Sequence, residues 1–116
     1  MWIENIKINN FRNYKSQKIS LNEGINVFYG ENAQGKTNII ESIFLSSIGK
    51  SFRCKKDSEM IKFGEEYAFI SIDFKKSDRE GSIEIQIANK KNINVNKIKI
   101  KKLSDLLGNV NTVIFT

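Results

Sequence analysis

The stretch VFYGENAQGKTNIIESIF, from Val27 to Phe44, decides how the rest of the chain is read. Within it Gly30-Glu31-Asn32-Ala33-Gln34-Gly35-Lys36-Thr37 satisfies G-x-x-x-x-G-K-[ST] at every fixed position. At ordinary residue frequencies such a match arises by accident in about 0.4% of chains this long, so chance is a weak competitor. Context weakens it further. Ile25 to Tyr29 is a short apolar run, as expected of a strand covered on both faces. From Thr37 to Ile48 the apolar positions Ile39, Ile40, Ile43, Phe44 and Ile48 predict one buried helical face. Asn38, Glu41 and Ser42 then turn toward the other face, and Gly49 is a suitable C-cap. The motif therefore lies between a strand and a helix of about three turns.

Each residue type in the motif has a chemical reason. Gly30 and Gly35 permit a close backbone approach that a Cβ would forbid, so the amides of Gly30, Glu31, Asn32, Ala33, Gln34 and Gly35 can turn inward around phosphate oxygens. The helix start adds unpaired donors and the positive end of its dipole. Lys36 would set its ammonium on the β and γ phosphates of a nucleotide, and the Thr37 hydroxyl would take one position on a six-coordinate Mg²⁺.

The 116 residues have room for one domain. A hydrophobic content of 40% with eight phenylalanines suffices for a core, which argues against wholesale disorder despite 28% charged residues. The absence of histidine excludes a Cys/His zinc site and imidazole catalysis, and the single cysteine, Cys54, cannot pair within the chain. No apolar run approaches the roughly 18 to 20 residues of a spanning helix, and the start does not resemble a signal peptide, which predicts a cytoplasmic protein without membrane contact. Nineteen Lys and Arg against thirteen Asp and Glu give a net charge of +6, which draws the chain toward polyanions. The same composition also follows from an AT-rich genome.

Around the motif the pattern is mainly β. Ile3 to Asn10 and Lys18 to Leu21 read as half-buried strands, with Phe11-Arg12-Asn13-Tyr14 as the turn between them. Asn22-Glu23-Gly24 is a second turn. Lys50 to Lys56 is a basic loop, Asp57 to Lys62 a helical turn closed by Gly64, and Tyr67 to Phe74 a strand with Ala68, Ile70, Ile72 and Phe74 inward. A strand bearing Ile83, Ile85 and Ile87 should pair with it antiparallel across a loop from Lys75 to Gly81. A turn at Asn89 to Asn92, a strand from Val95 to Ile100 and a short helix from Lys102 to Gly108 follow. The chain stops inside the apolar run Val113-Ile114-Phe115, which predicts a fragment of a longer protein.

Hydrolysis also needs a carboxylate that holds Mg²⁺ and a group that orients water. An apolar strand ending in Asp-Glu would supply the first. Asp73 comes nearest, but it lies in an alternating strand before Phe74 and reads as solvent-facing. No catalytic residue is assigned.

The motif, together with Asn10-Phe11-Arg12-Asn13-Tyr14 before it and Gly49-Lys50-Ser51-Phe52-Arg53 after the helix, resembles the amino-terminal part of the RecF family of bacterial recombination and replication-repair proteins, which are similar to SMC-type ABC ATPases. The resemblance spans the whole chain. The family commonly has glycine where Ala33 stands, which leaves the fixed positions intact. It implies an α/β P-loop NTPase lobe of an ABC/SMC-like head, with strands around the P-loop helix and a flanking antiparallel β-subdomain, residues 1–116 forming the first lobe. It further implies ATP-dependent DNA binding, a homodimer with nucleotide between two heads, RecO and RecR as partners in loading the recombinase at gapped DNA, and a nucleoid setting. The signature motif, the Asp-Glu strand and the second lobe should lie beyond Thr116. This piece alone should therefore bind ATP weakly and not hydrolyse it, while the parent is a weak DNA-dependent ATPase.

By the same resemblance Arg12 and Asn13 lie near the nucleotide, although asparagine favours turns whatever binds nearby. Asn32 would face the dimer seam. Lys50, Arg53, Lys55 and Lys56 are DNA-phosphate candidates, with a solvated loop as the alternative. Phe52 is read as a core plug and Cys54 as an inert small side chain. Two other classes stay open: a small P-loop kinase or GTPase, which needs a magnesium carboxylate and a lid or base-recognition motif, and a nucleic-acid-binding module whose loop holds backbone phosphate.

Overall fold

The computed structural model describes residues 2–20, 33–51, 53, 55–76 and 79–106; the side chains of Trp2, residues 33–37, Lys76 and Leu103 lie outside that description. The expected turn at Asn22-Glu23-Gly24, the strand Ile25 to Tyr29, loop residues Gly30 to Asn32, Phe52, Cys54 and the run Val113 to Phe115 also lie outside the described residues.

Alternation of isoleucine with polar residues produces the strands. They are β1 (Trp2–Phe11), β2 (Tyr14–Ser20), β3 (Ala68–Lys76), β4 (Arg79–Ile87), β5 (Lys91–Val95) and β6 (Ile98–Lys99). All pair antiparallel in one sheet, in the order β2-β1-β3-β4-β5-β6. Register aligns the isoleucines into rows across it. Ile8 faces Ile70, Ile70 faces Ile85, and Ile85 faces Ile93. A parallel row runs from Ile6 through Ile72 and Ile83 to Val95. Such cross-strand β-branched pairs are the unit of sheet stability, and each fully buried isoleucine contributes about 1.5–3 kcal/mol. A one-residue slip would bring Lys7, Ser71 and Glu84 into this core, so burial fixes the register.

The helix α1 (Ala33–Ile48) packs on the inner face of the sheet. Leu45 from the helix, Met60 from a 3-10 turn (Asp57–Met60) and Leu106 after a second such turn (Leu103–Asp105) close the core. Gly49 ends α1 at φ +82°, and its amide donates to the Leu45 carbonyl at 2.7 Å, as its C-cap reading requires. The last turn of α1 has no basic residue of its own. Lys91 of β5 supplies one from outside: its Nζ donates to the Gly49 carbonyl at 2.6 Å and pairs with Asp57 at 3.1 Å.

Several expectations are corrected. α1 begins at Ala33, four residues before Thr37. Its most buried positions are also not the expected ones, although Ile39 and Ile43 do pack against the core. Asn38, Glu41, Ser42, Leu45 and Ser46 are buried, whereas Ile39, Ile40, Ile43, Phe44 and Ile48 are only partly so. The small serines face the sheet and return their hydroxyls to the helix itself, Ser42 to the Ile39 carbonyl at 2.6 Å and Ser46 to the Ser42 carbonyl at 2.9 Å. The β3–β4 ladder continues to Lys76 opposite Arg79, so the expected loop from Lys75 to Gly81 is mostly strand. Gly81 lies across from Phe74, whose ring covers it: a Cβ there would stand 2.5 Å from the ring's Cζ. The expected strand Val95 to Ile100 is a hairpin instead. Asn96 and Lys97 both have positive φ, 52° and 71°, as a type I′ turn demands, and they separate β5 from β6. The short helix from Lys102 reduces to its 3-10 turn among the described residues.

Candidate nucleotide site

The first four amides of an α-helix have no partner within it. Because α1 starts at Ala33, those amides belong to Ala33, Gln34, Gly35 and Lys36, inside the motif itself. No acidic residue occupies the first turn, so nothing there opposes the positive end of the helix dipole. A helix start of this kind is able to receive an anion. Thr37, the magnesium candidate, is the next residue.

One turn further along, α1 presents a polar cluster. Glu41 is fully buried, and a buried carboxylate is tolerated only when paired and hydrogen-bonded. Arg12 meets it in bidentate fashion, Nε donating to Oε1 at 2.9 Å and Nη2 to Oε2 at 2.6 Å. Ser51 donates its hydroxyl to Oε2, and Arg53 donates Nη1 to Oε1 at 3.2 Å. Two guanidiniums therefore surround one carboxylate, leaving one surplus positive charge. Asn38, 3% exposed, donates Nδ2 to Asn13 Oδ1 at 2.9 Å and accepts from Arg53 on its own Oδ1.

The β1–β2 turn that carries Arg12 and Asn13 is held in place from below. Asn10 and Arg12 take left-handed conformations, φ 53° and 58°, uncommon for residues with a Cβ. The Arg12 amide donates to the Met60 carbonyl at 2.8 Å, and the Lys62 amide to the Asn10 carbonyl at 2.7 Å. Phe11 bridges to Ile61 between them. Tertiary contacts thus over-determine a turn that local preference alone leaves open.

These residues line a cavity of about 410 Å³, within the range of small-molecule sites. Arg12, Asn13, Asn38 and Arg53 line it together with Ser58, Glu59, Ile61 and Phe63, and Arg12 Nη1 donates to the Glu59 carbonyl at 3.3 Å. Arg12 and Asn13, expected near a nucleotide, are brought together with Asn38 beside the motif. Arg53 lines the same cavity and, like Lys50, Lys55 and Lys56, is exposed. Asp73 is exposed on the strand, as read. Among the described residues no group of three acidic or cysteine side chains is placed to hold a metal. Glu41, Asn38 and Ser51 were missed by sequence reasoning. The signal was present in Asn38 and Glu41 at helical spacing i, i+3, one turn after the lysine of the motif.

A family model described as an AAA domain matches residues 5–114. The DNA replication and repair protein RecF of Clostridium novyi is 50% identical over 118 aligned positions, which cover 100% of this chain and 33% of that protein. A structure of the recombination mediator protein RecF with ATP, in the RecFOR pathway, superposes with a TM-score of 0.91 at 43% identity, covering 99% of this chain and 32% of that one. The SMC head domain of Thermotoga maritima matches with a TM-score of 0.74 at 18% identity, covering 90% of this chain and 40% of that one, a likeness of fold. The chain spans about a third of the length of the curated relatives it matches. No helix among the described residues is long and apolar enough to cross a membrane.

Proposed function

The chain belongs to the AAA-domain family, and from that premise we propose that it is the ATP-binding lobe of a RecF-type DNA replication and repair protein. The observation that carries this reading is the start of α1 inside G-x-x-x-x-G-K-T, beside a cavity lined by Arg12, Asn13, Asn38 and Arg53. The amides of residues 33–36 receive the phosphates, with Lys36 on the β and γ groups. Thr37 contributes one ligand to Mg²⁺, which neutralises charge on the phosphates; a single hydroxyl suits an ion that keeps several waters and phosphate oxygens. Arg12, held by Glu41, keeps its guanidinium at the cavity wall.

DNA binding falls to the exposed Lys50, Lys55 and Lys56, each phosphate contact steepening the salt dependence. ATP-dependent homodimerisation, cooperation with RecO and RecR, recombinase loading at gapped DNA and a cytoplasmic, nucleoid-associated setting belong to the same proposal; of these, cooperation with RecO and RecR is supported by the RecFOR pathway in which the similar RecF structure is placed. Turnover depends on carboxylate and signature residues outside residues 1–116, so this lobe alone binds without hydrolysing.

Calorimetric titration with Mg-ATP tests the reading. Binding weakened at least tenfold by Lys36→Ala is expected; identical affinities for the two proteins would reject it. A DNA titration over a salt series, with and without ATP, separates it from a module that holds only backbone phosphate.

A further inference from the structure

Both oxygens of the buried Glu41 carboxylate are committed. Oε1 accepts from Arg12 Nε and Arg53 Nη1, and Oε2 from Arg12 Nη2 and the Ser51 hydroxyl. Two distant stretches of chain therefore meet on one side chain of α1: the β1–β2 turn, which carries Arg12, and the segment after the helix, which carries Ser51 and Arg53. The bidentate bond fixes the plane of the Arg12 guanidinium as well as its position, and Arg12 Nη1 is tied in turn to the Glu59 carbonyl. Arg53 shares its Nη1 between Glu41 and Asn38, and its amide donates to the Ser51 hydroxyl oxygen at 2.9 Å. For packing alone a glutamate is a poor choice here, because apolar side chains of similar volume often match or exceed the stability of a buried ion pair. What the carboxylate does, and an apolar side chain cannot, is hold two like-charged guanidiniums close together. Both line the cavity that Asn38, the residue after the motif, also lines.

We propose that Glu41 is a positioning residue for nucleotide binding: it touches no ligand itself and acts through Arg12, whose guanidinium it holds, with Arg53 beside it, in the orientation that an entering polyphosphate meets. The inference rests on the nucleotide reading above and adds the residue that organises its arginines. Charge and orientation predict opposite signs for the loss of Glu41. Removing the carboxylate makes the site more positive by one charge, and by Coulomb attraction alone a polyanion should then bind more tightly. Without the carboxylate, however, the guanidiniums repel each other and lose the fork that sets the plane of Arg12, so the ligand must order them as it binds. The second effect prevails because the fork is bidentate and its acceptor is buried.

The test is calorimetric titration of the full-length protein with Mg-ATP, each variant held well below its own unfolding midpoint. Glu41→Gln keeps the shape and removes the charge, and it is expected to weaken ATP about 3- to 30-fold. Glu41→Asp keeps the charge but is one methylene too short for the fork, so it should weaken ATP as well. In an Arg12→Met background Glu41→Gln causes no further weakening, since a residue that acts through Arg12 has nothing left to orient. If Glu41→Gln does not fold, Arg12→Lys carries the same test: it preserves the charge, cannot form the fork, and should weaken ATP to a similar degree. ATP bound by these variants as tightly as by the wild type, or more tightly, would refute the positioning role, and so would an equal loss from Glu41→Gln with and without Arg12. In either case a loss of ATP binding in Lys36→Ala leaves the nucleotide reading standing. Unchanged affinity in Lys36→Ala brings down both.

Discussion

The antiparallel sheet and the buried face of α1 solve the same problem with opposite chemistry. Across β1, β3, β4 and β5 the core is rows of isoleucine, and among the described residues the buried side chains of these strands are apolar. Beneath α1 a glutamate, an asparagine and serines are buried beside Leu45, and each of these polar members depends on a specific donor or acceptor. The first arrangement tolerates change because dispersion and burial are non-directional. The second does not, because a buried charge that loses its partners keeps its full desolvation cost. The intolerant chemistry sits beside the nucleotide motif, where orientation matters most.

Substitutions in the two regions sharpen that contrast. Glu41→Ala should cause the largest loss, about 3 kcal/mol in urea unfolding, since it leaves Arg12 and Arg53 facing each other with no carboxylate between them. Both arginine side chains keep some exposure, 20% and 28%, which places the cost at the low end for a broken buried pair. A loss under 1 kcal/mol would show that the cluster does not organise the helix. In the sheet, Gly81→Ala should cost about 1–3 kcal/mol, because the Phe74 ring must move off the space it fills. An unchanged midpoint would mean that the ring swings away freely. Lys97→Ala, at the outer-face pair with Glu84 at 3.2 Å and 75% side-chain exposure, should change stability by about 0.5 kcal/mol or less.

The same contrast explains what the sequence allowed to be read. Ala68, Ile70, Ile72 and Phe74 alternate at the strand period, and their inward face follows from that alone. The helical turn after Lys56 was a local signal too, although it is capped at Ile61 and Gly64 belongs to the next turn, from Lys62 to Glu65. The face of α1 was misread because hydrophobicity identifies a buried surface only where burial is apolar. Ile39 and Ile43 drew the assignment, whereas Glu41 is buried through Arg12, 29 residues away, and Ser51 and Arg53 beyond the helix. No local pattern encodes such partners. The Asn96-Lys97 hairpin was missed for a different reason, since lysine rarely takes the left-handed conformation that the turn imposes. The polar wall at Asn38 and Arg53 was legible only as residue types near the motif, until the fold brought them to Arg12 and Asn13.

Amide hydrogen exchange with and without Mg-ATP tests most directly whether the start of α1 is the anion-receiving element. Added nucleotide should slow exchange at Ala33, Gln34, Gly35 and Lys36, whose amides the helix leaves unpaired, and leave the ladder between β3 and β4 unchanged. Protection confined to the sheet, with those four amides exchanging as before, would contradict the account.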